Sequence, residues 1–420
     1  MKLLFLTPQL PYPPHQGTTI RNFNIIKHLA PRHEITLLSF GADAELQDAE
    51  PLRALCHRIE IVPYPTRTFA QRAFTTFFSP LPDMALRLQS ATMHKNANAL
   101  LREEFDIVQV EGIEMARYVL QSRINNRKLV LSEAEGSRIV FDDHNAEYML
   151  QHTAFESDLR RPTRWHAALY SWIQWQKLTH YEREICRLAD HVIACSSTDA
   201  SALHALLGEQ SKIKNRQSKI TVIPNGVDTE FYAPSNKVCA ESAMVFTGKM
   251  DFRPNIDAML WFCNEILPRI RAEIPRVHIV IVGQKPAPRV AALGKQHGVE
   301  VTGSVPDTRP YITDAAVYVV PLRMGSGTRL KVLEAMAMGK AIVSTARGVE
   351  GIDLIPECHA LIADIPDAFA RAVVALLRDA ERRRALGQAA RALAEAKYDW
   401  RAIVPRFDDV YRTWTLEVGS

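Results

Sequence analysis

Short uninterrupted apolar runs alternate along the whole chain with longer stretches that carry apolar residues at helical spacing. A strand buried on both faces needs apolar residues at every position, so this alternation is the βαβα signature of parallel sheets covered by helices. Runs at 2–7, 34–39, 58–62, 106–110, 139–142, 191–194 and 220–223 predict one doubly wound unit. A second series at 244–247, 278–282, 299–302, 317–320, 341–344 and 360–363 predicts another. Within it, Ile256, Met259, Leu260, Phe262, Cys263, Ile266 and Leu267 form one broad stripe and predict a helix over 255–272, with a second helix over 330–338. The tail 389–415 reads as helix, a break near Tyr398 and Asp399, and helix again.

Pro224, Gly226 and Pro234 punctuate a polar stretch at 225–236, the natural place for a boundary. The expected organisation is α/β: a Rossmann-like domain over 1–228, a second over 229–399, and a tail over 400–420 that packs back on the first. Two segments read as insertions, 131–138 and the basic, repetitive 210–220.

Composition narrows the function. With 47% hydrophobic and 23% charged residues in 420, the chain folds rather than stays disordered. Lys and Arg exceed Asp and Glu by 51 to 47, a net charge of +4, too small for a dedicated nucleic-acid binder. The six cysteines are scattered without a CxxC or zinc spacing, so neither a disulfide framework nor a metal site is expected. The apolar run before Pro8 is too short for a signal sequence, and no stretch is long enough to span a bilayer, so a cytoplasmic protein is expected.

Open α/β sheets bind ligands outside the carboxyl ends of their strands, which directs attention to strand-to-helix turns. The most informative is PLRMGSGTRLKVLEAMAMGKAIVST at 321–345. Gly325, Ser326 and Gly327 allow close backbone approach, and the helix start near Leu330 offers free N–H groups to a phosphate. Arg329 and Lys331 place cations at that helix start, where they are unfavourable unless an anion is bound. Glu334, one turn further, suits the vicinal hydroxyls of a ribose; a Gly-rich turn with a surface glutamate is the plainer alternative. FTGKMDFRPN at 246–255 adds Gly248, Lys249 and Arg253 at a strand end, cations able to neutralise a diphosphate or simply to be solvated.

In the first half, PPHQG at 13–17 forms a loop ending in Gly17, with Thr18 or Thr19 as the expected N-cap of the next helix. His144 follows a strand in FDDHNAEY, where it can meet a sugar hydroxyl, handle a proton, or serve only structure. Thr66 to Pro82 mixes Arg67 and Arg72 with Phe69, Phe74, Phe77 and Phe78. Such a segment at 66–82 fits a bilayer interface, and equally a core.

These motifs, with VIACS at 192–196, IPNGVD at 223–228, VGQKP at 282–286 and VTGSVPD at 301–307, resemble glycosyltransferase family 4 over nearly the whole chain. The resemblance implies a GT-B fold, two Rossmann-like domains with an interdomain cleft, and retaining transfer from a nucleotide-diphosphate sugar to a glycan or lipid-linked acceptor. It implies no cofactor, no metal and no nucleic acid. A non-catalytic nucleotide-sugar binder and a GT-B nucleotide-sugar epimerase are the alternatives. By the resemblance, His144 and Lys249 are the catalytic candidates, with Lys249 on the diphosphate and His144 on the donor sugar. Gly17, Gly248, Arg253, Val305, Ser326, Gly327, Thr328, Arg329, Lys331 and Glu334 are the donor-binding candidates, Val305 beside the base and Glu334 on the ribose. Two departures stand out: Ser326 replaces the first glutamate of the family's E-x7-E pattern, and Pro254 replaces a frequent second lysine. MDFRPN with GSGTRLK resembles the branch associated with exopolysaccharide and exosortase-linked gene clusters. The implied setting is the cytoplasm, with peripheral contact at the inner face of the membrane.

Overall fold

A computed structural model describes residues 1–125, 137–160, 162–208, 219–235, 237, 239–325 and 329–413. The chain divides into two compact units, Met1–Pro224 with Val404–Ser420, and Asn225–Ile403. The second unit thus begins at Asn225 and runs to Ile403, four residues outside each expected limit. The reason is a seam: Val227 N–H donates to Tyr398 O at 2.8 Å, and the Thr229 hydroxyl to Asp399, which ties 225–229 to the end of that unit.

The first unit holds β1 (Lys2–Thr7), β2 (Glu34–Phe40), β3 (Arg58–Val62), β4 (Ile107–Glu111), β5 (Arg138–Asp143), β6 (His191–Ala194) and β7 (Lys219–Val222). They form a parallel sheet in the order β3-β2-β1-β4-β5-β6-β7. Leu3 to Leu6 are fully buried, as a central parallel strand requires. The helix Pro405–Arg412 belongs here: Phe407 and Tyr411 are buried, Tyr411 Oη donates to Gln109 Oε1 at 3.1 Å, and Asp408 meets His33 at 2.7 Å.

The second unit holds β8 (Ala240–Thr247), β9 (His278–Val282), β10 (Val299–Gly303), β11 (Ala315–Val320), β12 (Ala341–Ser344) and β13 (Leu361–Ile362). Their order is β10-β9-β8-β11-β12-β13, again parallel. The helix expected over 255–272 is interrupted: α-helix at Arg253–Trp261, one π turn at Phe262–Ile266, then α-helix at Leu267–Glu273. Pro268 has no N–H for the α ladder, and the wider turn before it absorbs the mismatch.

The helix Gly17–Leu29 starts from Gln16, not from Thr18 or Thr19. Thr19 sits one turn in, where its hydroxyl accepts Gln16 N–H at 3.0 Å. The aromatics of 66–82 lie on a helix, Phe69–Phe78, and Phe69, Phe74, Phe77 and Phe78 are all exposed, which removes the core reading. Among the described residues no helix is long and apolar enough to cross a membrane.

Candidate active site

In both sheets the strand order reverses beside the first strand, between β1 and β4 and between β8 and β11. The loops on either side of such a reversal diverge and leave a crevice at the strands' carboxyl ends. The chemistry-bearing residues gather at these two points.

In the second unit the turn after β8 is held by close approach. A side chain at Gly283 would put its Cβ 1.7 Å from Gly248 O, and one at Gly248 would meet Lys331 Nζ at 2.6 Å and Asn255 Nδ2 at 2.8 Å. Lys331, on the helix Leu330–Ala337, donates to Asn255 Oδ1 at 2.8 Å and lies 4.1 Å from the centre of the Phe246 ring. Asn255 in turn donates to Lys249 O at 2.8 Å. Burial, with Arg329 nearby, pushes the Lys331 ammonium down to about 7. One turn on, Glu334 accepts from Tyr232 Oη at 3.3 Å, and burial pushes its carboxyl up. Arg329 caps the helix and is 7% exposed, and a Cβ at Gly325 would lie 3.2 Å from both Arg329 Nη1 and Pro254 Cγ. A cation whose charge is disfavoured by burial, beside glycine backbone and a helix start, gains by pairing with an anion.

In the first unit, β4 ends in Glu111 and β5 in Asp142 and Asp143, all buried. Arg21, 1% exposed, grips Asp142 with Nε at 2.8 Å and Nη2 at 3.0 Å, and reaches Ile223 O and Pro224 O at 3.1 Å each. His144 Nε2 pairs with Glu111 Oε2 at 2.9 Å, and Gln109 Nε2 donates to Glu111 Oε1 at 3.0 Å. Tyr411, Gln109 and Glu111 therefore form a chain that fixes the ring of His144. Burial and the Asp142 charge push Glu111 up, against the pull of His144. Glu111, Asp142 and His144 are spaced closely enough to suit a metal ion, but Arg21 occupies both Asp142 oxygens. Behind them, Glu182 accepts the N–H groups of Glu147 and Tyr148 at 2.9 Å each, starting the helix Glu147–Leu159. Burial, with Glu182 nearby, pushes Glu147 up to about 7 and Asp143 well above the usual carboxylate range.

The profile of Glycosyltransferase Family 4 matches residues 16–231, just over half of the chain. The chain belongs to glycosyltransferase family 4. A second profile, Glycosyl transferases group 1, matches residues 241–379 of this family 4 chain. A D-inositol 3-phosphate glycosyltransferase of Kribbella flavida is 27% identical over 268 residues, 57% of this chain and 60% of that protein. The chain thus aligns with about three fifths of the length of that curated relative. Among solved structures, sucrose-phosphate synthase of Thermosynechococcus elongatus superposes with a TM-score of 0.68 at 18% identity, covering 100% of both chains. Anabaena Alr3699/HepE, solved in complex with UDP, superposes at 0.66 and 15% identity over 98% of this chain and 100% of that one. These likenesses are of fold: GT-B, with two parallel-sheet Rossmann-like domains.

Of the residues singled out in the family 4 sequence, Gly248, Arg329, Lys331 and Glu334 come together in the second unit. Lys249 joins them through its carbonyl, while its side chain is exposed, so the lysine seated over the glycine turn is Lys331. Arg253 opens its helix, and Val305 packs half-buried on the core beyond β10. Ser326, Gly327 and Thr328 lie outside the described residues, as do most of 131–138 and 210–220. Gly17, exposed at its helix start, and His144 lie in the first unit. Glu111 and Tyr232 were missed as site residues, and Asn255 was read only as part of the FTGKMDFRPN turn. Glu111 left one signal, a carboxylate followed by glycine at the end of an apolar run.

Proposed function

We propose that the chain is a retaining, metal-independent glycosyltransferase that moves a hexosyl group from a nucleotide-diphosphate sugar to a hydroxyl of a glycan or lipid-linked acceptor. The observation that carries this reading is the seating of Lys331 against Gly248 and Asn255, one helical turn from the Glu334–Tyr232 pair. Lys331, Arg329 and Lys249 hold the diphosphate, with Gly248, Arg253 and the stretch Ser326, Gly327 and Thr328 around it, Glu334 takes the ribose hydroxyls, and Val305 lies beside the base. In the first unit His144, aimed by Glu111, contacts a sugar hydroxyl, with Gly17 beside the reacting groups.

In the transfer the acceptor oxygen bonds to the anomeric carbon as its bond to the diphosphate breaks. The bonding pair leaves with the diphosphate, whose oxygen accepts the acceptor's proton. The cations stabilise that charge, and loss of one such contact costs roughly 10² to 10³ in rate. A retaining outcome by this route needs no pair of carboxylates flanking the anomeric carbon.

The setting we propose is exopolysaccharide or other cell-surface glycan synthesis, with the protein cytoplasmic and peripheral at the membrane. Supporting this, Phe69, Phe74, Phe77 and Phe78 are exposed, as are Trp165 and Trp172 on the helix Trp165–Leu188, whose Lys177 Nζ donates to Thr76 O at 2.7 Å on the phenylalanine-bearing helix. Phe74→Glu and Phe78→Glu should abolish flotation with phosphatidylglycerol vesicles, and retained flotation refutes the contact.

Donor binding is tested by thermal unfolding with UDP, GDP, ADP and TDP sugars. A ligand at about 100 times its Kd stabilises by about 2.7 kcal/mol. One donor should raise Tm, and Glu334→Gln should erase the rise. No rise with any of them refutes the reading.

A further inference from the structure

The first unit contains a pocket of about 330 Å³ at the carboxyl ends of β1, β4 and β5. Its volume is at the small end of ligand sites, which run from about 300 to 1,000 Å³, so it fits one ring rather than a chain of them. Its walls carry Gln9, Thr18, Tyr64, Asn145, Glu147 and His144, with Pro8, Leu88 and Ile113 supplying apolar surface. Amides, a hydroxyl and a phenol over apolar patches match a pyranose, whose equatorial hydroxyls and axial C–H faces make the same two demands. The Gln9 carboxamide has no hydrogen-bond partner among the described residues, so it is available to a ligand.

The basic groups of the pocket are already engaged by its acids. Among the described lining residues the basic side chains are Arg87 and His144. Arg87 is ion-paired with Glu114, and His144 with Glu111. Asp143 and Glu147 also line it, and Arg87 and His144 already act on Glu147, so an incoming phosphate or carboxylate would have to compete with the lining carboxyls for both basic groups.

We propose that this pocket takes an uncharged, hydroxyl-rich ring and refuses anionic ones. This rests on the transferase reading and deepens it, since it restricts the sugar bound in the first unit to neutral hexoses and their N-acyl forms. The ring is supplied either by the acceptor or by the transferred sugar, and the shared chemistry is the same.

The test is saturation-transfer NMR on the full chain with methyl glucoside, N-acetylglucosamine, glucosamine, glucuronate and glucose 6-phosphate at equal millimolar concentration. The two neutral probes should bind at least about tenfold better than the three charged ones, and Gln9→Ala, with Tm unchanged, should weaken them. Glu114→Gln frees Arg87 and should raise glucuronate and glucose 6-phosphate binding by about tenfold. Equal binding of charged and neutral probes overturns the proposal, as does absence of signal from the neutral pair, preference for glucosamine, or insensitivity to Gln9→Ala. Repeating the titration with saturating UDP-glucose separates the sources: displacement marks the transferred sugar, persistence the acceptor. The donor test reads Glu334 in the other unit, so a Tm rise with donors but no sugar signal would sink this proposal alone.

Discussion

Donor binding should carry a proton with it. In the free protein Lys331 is held down to about 7 because burial and Arg329 disfavour its charge. A diphosphate placed against Nζ reverses both effects and returns the amine toward its ordinary 10.5, a recovery of up to 10.5 − 7, about 3.5 pKa units. Each unit is worth about 1.4 kcal/mol, and a half-buried site recovers only part of it, so about 2 to 3 kcal/mol of donor affinity is proton-linked. The sign follows: the bound state holds more protons than the free state above about pH 7, so affinity falls as pH rises, most steeply between roughly pH 7 and 9 and by roughly 30- to 150-fold in all. Calorimetry with UDP-glucose, or whichever donor raises Tm, in buffers of different ionisation heat should report roughly 0.6 to 0.9 proton taken up at about pH 8. A doubly esterified diphosphate does not itself titrate there. Lys331→Met should remove the uptake and weaken binding. It should also stabilise the free protein at pH 7, since an amine with a depressed folded pKa destabilises the fold below its unfolded pKa and ceases to do so as pH rises. A pH-independent Kd, or uptake unchanged in Lys331→Met, refutes the assignment of Lys331 to the diphosphate.

Three further outcomes are expected. Arg21→Met leaves Asp142 buried beside Glu111 with no cation and should cost about 3 to 5 kcal/mol in urea unfolding, partly restored by adding Asp142→Asn; a loss under about 1 kcal/mol would contradict the pairing. Gly283→Ala drives a methyl into Gly248 O and should weaken donor binding by tenfold or more while leaving the first unit's sugar binding intact, so a neutral effect in both titrations counts against the close approach. Glu147→Gln should stabilise the protein at pH 8 by about 1 to 2 kcal/mol and not at pH 4, because a carboxyl raised from 4.5 to about 7 lets the folded state hold its proton longer, and stability is lost as pH rises through that window. Equal stabilisation at both pH values would show that charge is not the cause.

The sheets were legible because a buried parallel strand leaves a continuous apolar run: the expected bounds of β1, β3, β6, β9 and β12 coincide with the observed ones. The π turn at Phe262–Ile266 was not, since its apolar stripe continues unbroken through it and only Pro268 hints at the change. The exposure of Phe74 and Phe78 was not legible either, because an amphipathic helix has the same sequence whether its apolar face meets a core or solvent. In the candidate site, Lys331 and Glu334 announced themselves by helical spacing after a glycine-rich turn. Arg21 did not. An arginine inside a helix reads as a solvated charge, and its partner Asp142 lies 121 residues away. Distance along the chain likewise hid the route from Tyr411 through Gln109 to Glu111, a contact across 302 residues.

That last contact bears on how the protein is made. The first unit is interrupted by the whole of the second and is completed by the helix Pro405–Arg412. On a ribosome, residues 1–224 emerge before the second unit but lack Phe407 against Arg21, Asp408 against His33 and Tyr411 against Gln109 until the chain beyond Ile403 has been made. The second unit, continuous from Asn225 to Ile403, has all of its own chain as soon as it leaves the exit tunnel. The order of maturation is then reversed relative to the order of synthesis, and the ring of His144 gains its last support when the helix Pro405–Arg412 docks. A chain released early, before Pro405, would carry an intact second unit and an unfinished first one. Premature termination would therefore spare nucleotide binding while leaving the sugar pocket without the buttress behind His144.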